Sequence, residues 1–268
     1  MKILVADCGA TKADWYVSGG VHVRTDGINM VHTPLPRVRE ILAEAADKVG
    51  SCIDEVHFFA AGAIGAPPID FQEFFPNATI EYASDLYAVA RAVCGHNPGI
   101  AAIVGTGANT CQWDGEKISR QFRYGGFILG DEGSGAVLGT RFLADHIKGL
   151  VPESLADAFW KRFQLDYAGI VKDVYAGEVP ARFLGSLAPF LVDYYEKEEY
   201  IKELMDNNFR DFFRRTVSRY EALPLGVTGG FGYACRDIIR RIGEEEFGVQ
   251  FTTILPSPLE GLKSYYGL

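Results

Sequence analysis

An α/β protein made of two like halves around a shared cleft is what this sequence predicts. Three observations carry the prediction. Residues 3–15 (ILVADCGATKADW) and 101–113 (AAIVGTGANTCQW) follow one plan: an apolar run, a turn of small residues, polar residues and a Trp. Strand-like and helix-like patterns are mixed in both halves, which argues for layered α/β packing. A hydrophobic content of 48% in 268 residues is enough for one large or two ordinary cores.

The elements follow in order. Ile3 to Ala6 is a short apolar run, read as a buried strand. Asp7-Cys8-Gly9-Ala10 turns the chain, and residues 14–18 and 21–24 continue as a meander around Gly19-Gly20. Gly27-Ile28-Asn29 is a loop. From Pro36 to Val49 the apolar residues Val38, Ile41, Leu42, Ala45 and Val49 share one helical face. Glu55 to Ala60 is a strand ending in Ala61-Gly62-Ala63. A short helix covers Asp70 to Phe75, Thr79 to Tyr82 is a strand, and Ser84-Asp85 opens a helix running through Val93. Pro98-Gly99 breaks the chain, so residues 1–98 and 99–268 are expected to form the two domains.

The second half repeats the order. A strand over 100–104 meets the turn Gly105-Thr106-Gly107-Ala108, followed by strands over 109–113 and 117–121. Gly125-Gly126 forms a loop leading to Leu129-Gly130-Asp131-Glu132-Gly133-Ser134-Gly135, and residues 134–147 are helical. Several helices fill 153–220, with a break near Gly177–Pro180. Pro224 to Thr228 is a strand, Gly229-Gly230 a turn, Tyr233 to Glu246 a helix, Val249 to Thr253 a strand and Pro256 to Tyr266 a closing helix, expected to pack back on the first domain.

Composition narrows the function. The net charge of −9 comes with no basic stripe, so no nucleic-acid surface is expected. The five cysteines are scattered, with no CxxC pair, which favours reduced thiols and a cytoplasmic setting. The five histidines have no HxH or HExxH spacing, so no structural zinc is expected. The longest apolar stretch, near Phe58 to Ile69, is broken by Gly65 and Pro67-Pro68 and is too short for a membrane span.

Four motifs carry candidate chemistry, each with a plainer alternative. Gly9, Ala10 and Thr11 form a turn whose backbone N–H groups suit ATP phosphates. Lys12 would add charge, and Asp7 would position Mg²⁺ through water. The alternative is an ordinary hairpin, but the second copy at Gly105-Thr106-Gly107 favours a polyphosphate. Asp85 either supports the start of its helix or serves as general base toward a substrate hydroxyl, at a strand-to-helix junction where clefts form. Asp131 and Glu132 either favour a helix N-terminus or bind sugar hydroxyls or a metal. Gly229 and Gly230 either punctuate a strand end or let the backbone approach a nucleotide base and ribose.

Taken together, DCGATK at 7–12, GTGANT at 105–110, GGFILGDEGSG at 125–135 and TGGF at 228–231 resemble the BadF/BadG-type ATPase family and, within it, the N-acetylglucosamine kinases of the actin-like, sugar-kinase and Hsp70 superfamily. The resemblance spans almost the whole chain in motif order. It implies two duplicated ribonuclease-H-like domains closing over an interdomain cleft. It implies phosphate contacts at Gly9, Ala10, Thr11 and Lys12, with Thr106 and Gly107 near the γ-phosphate and the sugar. By the same resemblance Asp85 is the base, Asn29 and Asp131 hold the sugar, Gly229-Gly230 takes the adenosine, and the chain is a homodimer. The expected reaction is ATP- and Mg²⁺-dependent phosphorylation of the 6-OH of an amino sugar, with N-acetylglucosamine or N-acetylmuramic acid as acceptor. A partner-activating ATPase of the dehydratase-activase type would need grouped cysteine ligands for an iron–sulfur cluster. A sugar sensor without turnover would not need Asp85.

Overall fold

The computed structural model describes every residue except Ala10, Ser51 and Glu178. The chain divides into two compact units. The first comprises Met1–Asn97, Gly115–Ile118 and Ser257–Leu268, the second Pro98–Asp114 and Ser119–Pro256. Each is built on a mixed five-stranded sheet.

In the first unit β1 (Ile3–Cys8), β2 (Lys12–Val17), β3 (Val21–Asp26), β4 (Glu55–Ala60) and β5 (Thr79–Ser84) lie in the order β3-β2-β1-β4-β5. β1, β4 and β5 run parallel, and β2 and β3 antiparallel to their neighbours. Central strand β1 is apolar on both faces because both are covered. Leu4, Ala6 and Cys8 meet the apolar stripe of α1 (Leu35–Val49). Val5, on the opposite face by the two-residue alternation of a strand, joins Phe59, Ala88 and Leu262. Ala88 lies on α2 (Asp85–Cys94) and Leu262 on the C-terminal helix, which packs against it.

The second unit repeats the plan with β6 (Gly99–Val104), β7 (Ala108–Trp113), β8 (Ile118–Arg120), β9 (Leu225–Thr228) and β10 (Phe251–Leu255), in the order β8-β7-β6-β9-β10. Numbered within its own half, each sheet reads 3-2-1-4-5. Between β8 and β9 the chain inserts α3 (Gly126–Leu129), α4 (Gly135–His146), α5 (Glu153–Phe163), α6 (Tyr167–Tyr175), α7 (Pro180–Ser186), α8 (Ala188–Asp193) and α9 (Glu199–Arg215). Phe142, Phe159, Phe190, Phe209, Phe212 and Phe213 anchor their core against Ile100, Ala102 and Val104. After β9 come α10 (Gly230–Ala234) and α11 (Arg236–Phe247), and α12 (Leu259–Tyr266) closes the chain.

Three details differ from the sequence reading. The glycine-rich stretch before Asp131 contains the single turn α3, whose apolar Ile128 and Leu129 are exposed and so leave no amphipathic signature. The helix expected over 233–246 is two, α10 and α11, meeting at Cys235 in a non-helical conformation. The last strand starts two residues later than expected, because Gly248 closes α11 in the left-handed region.

The two repeats also differ in register. Aligning the sequence segments pairs Trp15 with Trp113. In the fold Trp15 is the fourth residue of β2 and Trp113 the sixth of β7, two positions apart. A two-residue slip keeps a side chain on the same face, so both indoles are fully buried.

Candidate functional site

In the first unit the carboxyl ends of the parallel strands form one edge. Cys8 pairs with Ala60 and Ala60 with Ser84, so the segments after them start side by side. Asp7, the turn after β1 and Asp85 therefore share that edge, where α/β sheets place ligands. Asn29 joins it through a parallel bridge to Ala61. Its Oδ1 accepts from the backbone N–H groups of Val31 (3.0 Å) and His32 (3.3 Å), which holds the loop in an Asx turn.

The turn after β1 is closed by its own backbone. The Gly9 N–H donates to the Lys12 carbonyl at 3.0 Å, while Gly27 and Ile28 donate to the carbonyls of Thr11 and Gly9. Gly9 thus shapes the turn and spends its own donor. Ala10 lies outside the described residues. Thr11 and Lys12 are exposed, and the Lys12 ammonium sits 3.3 Å from Asp14. Asp14 is buried and also takes His22 at 3.0 Å and Arg24 at 2.7 Å. Burial works to raise its pKa, but the Arg24, Lys12 and His22 contacts hold it below the usual carboxylate range.

Asp85 is the first residue of α2. Ser84 has N-cap geometry but no side-chain cap bond. The Asp85 carboxyl instead accepts from the backbone N–H groups of Leu86 and of Asp85 itself. Burial outweighs these bonds and lifts it to about 6. Asp7 is lifted to about 7 by burial, then by the carboxyls of Asp85 and Asp14, with Lys12 pulling the other way. Asp7 and Asp85 are thus electrostatically coupled across one edge.

The second unit carries the matching turn, closed differently: Gly105 donates to Gly107 across 2.9 Å. The carbonyls of Gly105 and Thr106 accept from Gly135 and Ala136, at the N-terminus of α4. Because the peptide is planar and trans, the N–H groups of Thr106 and Gly107 then point away from α4, free for an oxyanion. A Cβ on Gly107 would lie 3.0 Å from the Asp131 carboxylate, so Asp131 is seated on the turn. Asp131 accepts from the Ala108 N–H, yet burial, with Glu132 adding to it, raises the carboxyl to about 6. Glu132 itself pairs with Arg215 at 2.9 Å. Gly229 and Gly230 follow β9, beside β6. Among the described residues no cluster of three or more His, Cys, Asp or Glu groups could hold a metal, and no helix is long and apolar enough to cross a membrane.

A solved structure from Porphyromonas gingivalis, provisionally assigned as an N-acetylglucosamine kinase, superposes with a TM-score of 0.90 at 34% identity, covering 98% of each chain. The chain belongs to that sugar-kinase family. Two more distant structures share this kinase's fold. One, from Chromobacterium violaceum and with the same provisional assignment, has a TM-score of 0.71 at 19% identity over 98% of each chain. The other is a ROK family glucokinase from Streptomyces griseus in complex with glucose and AMPPNP, with a TM-score of 0.57 at 16% identity over 99% of this chain and 96% of that one. No protein-family model and no curated protein matches the sequence.

Some groups of this sugar kinase lay beyond sequence reasoning. Asn208 is fully buried. It donates to the Ser134 carbonyl at 3.1 Å and accepts from Gly133 at 3.4 Å, fixing the loop that presents Asp131. In the first unit Glu81 accepts from His57 at 2.7 Å, Arg91 at 2.7 Å and Tyr266 at 3.1 Å, tying α12 to the sheet. Burial would raise Glu81, but the His57 and Arg91 bonds prevail and hold it at about 2. A carboxyl whose folded pKa lies below its unfolded value stabilises above the unfolded value and loses that contribution as pH falls through the folded one. Glu81→Gln is therefore expected to cost about 2 kcal/mol near neutral pH, discounted for partial exposure. The gap in unfolding midpoint between wild type and variant should close as pH drops from about 4.5 to about 2. A gap unchanged across that window would refute the assignment.

Proposed function

We propose that this chain is an ATP-dependent kinase that phosphorylates a hydroxyl, the 6-OH, of an N-acetylglucosamine-like amino sugar. The juxtaposition of Asp85 and Asp7 at the carboxyl edge of the first sheet carries this reading, in a chain 34% identical to the Porphyromonas gingivalis protein. Motif order supports placing it among the BadF/BadG-type ATPases, and the same resemblance supports a cytoplasmic homodimer.

The residues fit a magnesium nucleotide. Asp7 is a desolvated carboxyl crowded by two others, with its nearest cation, Lys12, already shared with Asp14. Such a group gains from a dication but cannot ligate one alone, as suits Mg²⁺, which keeps most of its water and takes phosphate oxygens. When bound, the nucleotide and its metal supply the transferable phosphoryl group and neutralise developing charge. The chain's residues do the rest. Asp85, poised at about 6, accepts the proton of the sugar hydroxyl and orients its oxygen. Thr11, Lys12, Thr106 and Gly107 hold phosphate oxygens, Lys12 exchanging Asp14 for phosphate. Asn29, Thr106, Gly107 and Asp131 hold the sugar. The backbone at Gly229-Gly230 lies along the adenosine. Positioning and electrostatic stabilisation supply most of the acceleration in such transfers.

The test is an ADP-release screen across N-acetylglucosamine, N-acetylmuramic acid, glucosamine and glucose, with the product's phosphate located by NMR. Turnover on an amino sugar with the ester at C6 is expected. ADP release independent of any sugar would sink the proposal.

A further inference from the structure

One short segment of the second unit serves two of the proposed contact regions at once. Residues 131–136 begin with Asp131, seated against Gly107. They end in the N–H groups of Gly135 and Ala136, which donate to the carbonyls of Gly105 at 2.9 Å and Thr106 at 3.1 Å. The segment that presents the acceptor carboxylate therefore also holds the phosphate turn. Its backbone bends sharply, with Asp131 at φ +53° and Gly133 at φ +88°. A non-glycine residue keeps such a conformation only where its surroundings hold it. A Cβ on Gly133 would lie 2.7 Å from the Cβ of Phe212, so α9 backs directly onto the segment.

Asn208 lies on α9 beside that contact and is fully buried. The same helix presents Met205, Phe209, Phe212 and Phe213 to the core, where an amide is costly unless both its halves are satisfied. The bent segment satisfies both. Asn208 Nδ2 donates to the Ser134 carbonyl at 3.1 Å, and Oδ1 accepts from the Gly133 N–H at 3.4 Å. A carboxylate lacks the donor and an aliphatic chain lacks both groups, so neither can replace the amide. The Ser134 hydroxyl is engaged separately, capping α4 by accepting from the Val137 N–H at 3.1 Å. We propose that Asn208 is a positioning residue for phosphoryl transfer. It clamps residues 131–136 so that an acceptor held at Asp131 and a phosphate held at the 105–107 turn stay aligned. The proposal rests on the kinase reading of those two regions.

The experiment uses whichever of N-acetylglucosamine, N-acetylmuramic acid, glucosamine and glucose turns over fastest. Sugar phosphate and ADP are both measured, with the unfolding midpoint, for wild type, Asn208→Leu, Asn208→Asp and Ser134→Ala. Sugar phosphate formed per ADP does not depend on how much of a sample is folded. In Asn208→Leu, kcat is expected to fall about tenfold or more, since a shift of about 1 Å can cost about a hundredfold. Sugar phosphate per ADP should fall with it, as water takes phosphoryl groups that the sugar misses. Ser134→Ala loses only the cap, so its midpoint should drop while kcat and the ratio stay within about twofold of wild type. Asn208→Asp keeps the Gly133 contact, and the introduced carboxyl can donate to the Ser134 carbonyl only when protonated. Its kcat relative to wild type should therefore recover as pH falls from about 8 to about 6. Unchanged kcat and ratio in Asn208→Leu, or equal losses in Ser134→Ala, overturn the proposal and leave the kinase reading intact. Should Asn208→Leu not fold, a wild-type ratio in Asn208→Asp at every pH overturns it instead. ADP release from wild type with no phosphate on any of the four sugars sinks the kinase reading and this proposal with it.

Discussion

Asp85→Asn is expected to lower kcat by about 100-fold or more while KM for ATP changes little, the pattern for losing a general base rather than a binding group. The amide preserves shape and still accepts from the Leu86 N–H, but cannot take the hydroxyl proton. Folding provides the control. The Asp85 carboxyl is raised from 3.8 to about 6, so its ionised form costs the ligand-free protein stability that grows as pH rises through that interval and persists above it. The neutral amide removes that cost, so the variant should melt no lower than wild type at pH 7. A variant that phosphorylates at the wild-type rate would show that Asp85 is not the base. One that loses activity together with its fold would leave the residue a structural role only.

The same residue shows what the chain made legible beforehand. Asp85 and Asp7 were readable as strand-end carboxylates because a short apolar run followed by a turn or a helix start is a local pattern. Both glycine turns were readable for the same reason, as were α1 and α2, whose apolar spacing is regular. The electrostatic coupling of Asp7 to Asp85 was not, because it depends on β1 and β5 flanking β4, a pairing that no local window contains. Nor was the parting of Asp131 from Glu132. Their adjacency gave one motif, whereas one faces Gly107 and the other Arg215 on a distant helix. Glu81 offered no signal, since its partners His57, Arg91 and Tyr266 come from three other elements. Asp14 looked like a strand residue, yet it holds Lys12, His22 and Arg24, which the meander brings together.

Gly229→Ala should have the other large effect, and it acts through backbone alone. Gly229 has φ +122° and ψ 145°, a conformation closed to residues with a Cβ. The added carbon would also lie 2.3 Å from the carbonyl oxygen of Val104, a backbone atom that cannot swing aside. Val104 ends β6 and leads straight into the turn at Gly105, so relief of the clash must displace that turn, the start of α10, or both. Strain and clash together are expected to cost about 3 kcal/mol of stability, read from denaturant unfolding. KM for ATP should rise about tenfold or more in the protein that still folds. Gly230→Ala separates packing from ligand contact. A Cβ there meets nothing within 4 Å, and its φ is not in the positive region, so stability should hold within about 0.5 kcal/mol. If the bare backbone at Gly230 lies along the nucleotide, the added methyl should raise KM for ATP while the unfolding midpoint stays put. An unmoved KM in Gly230→Ala would remove these glycines from the nucleotide site and leave Gly229 as a packing requirement of β6.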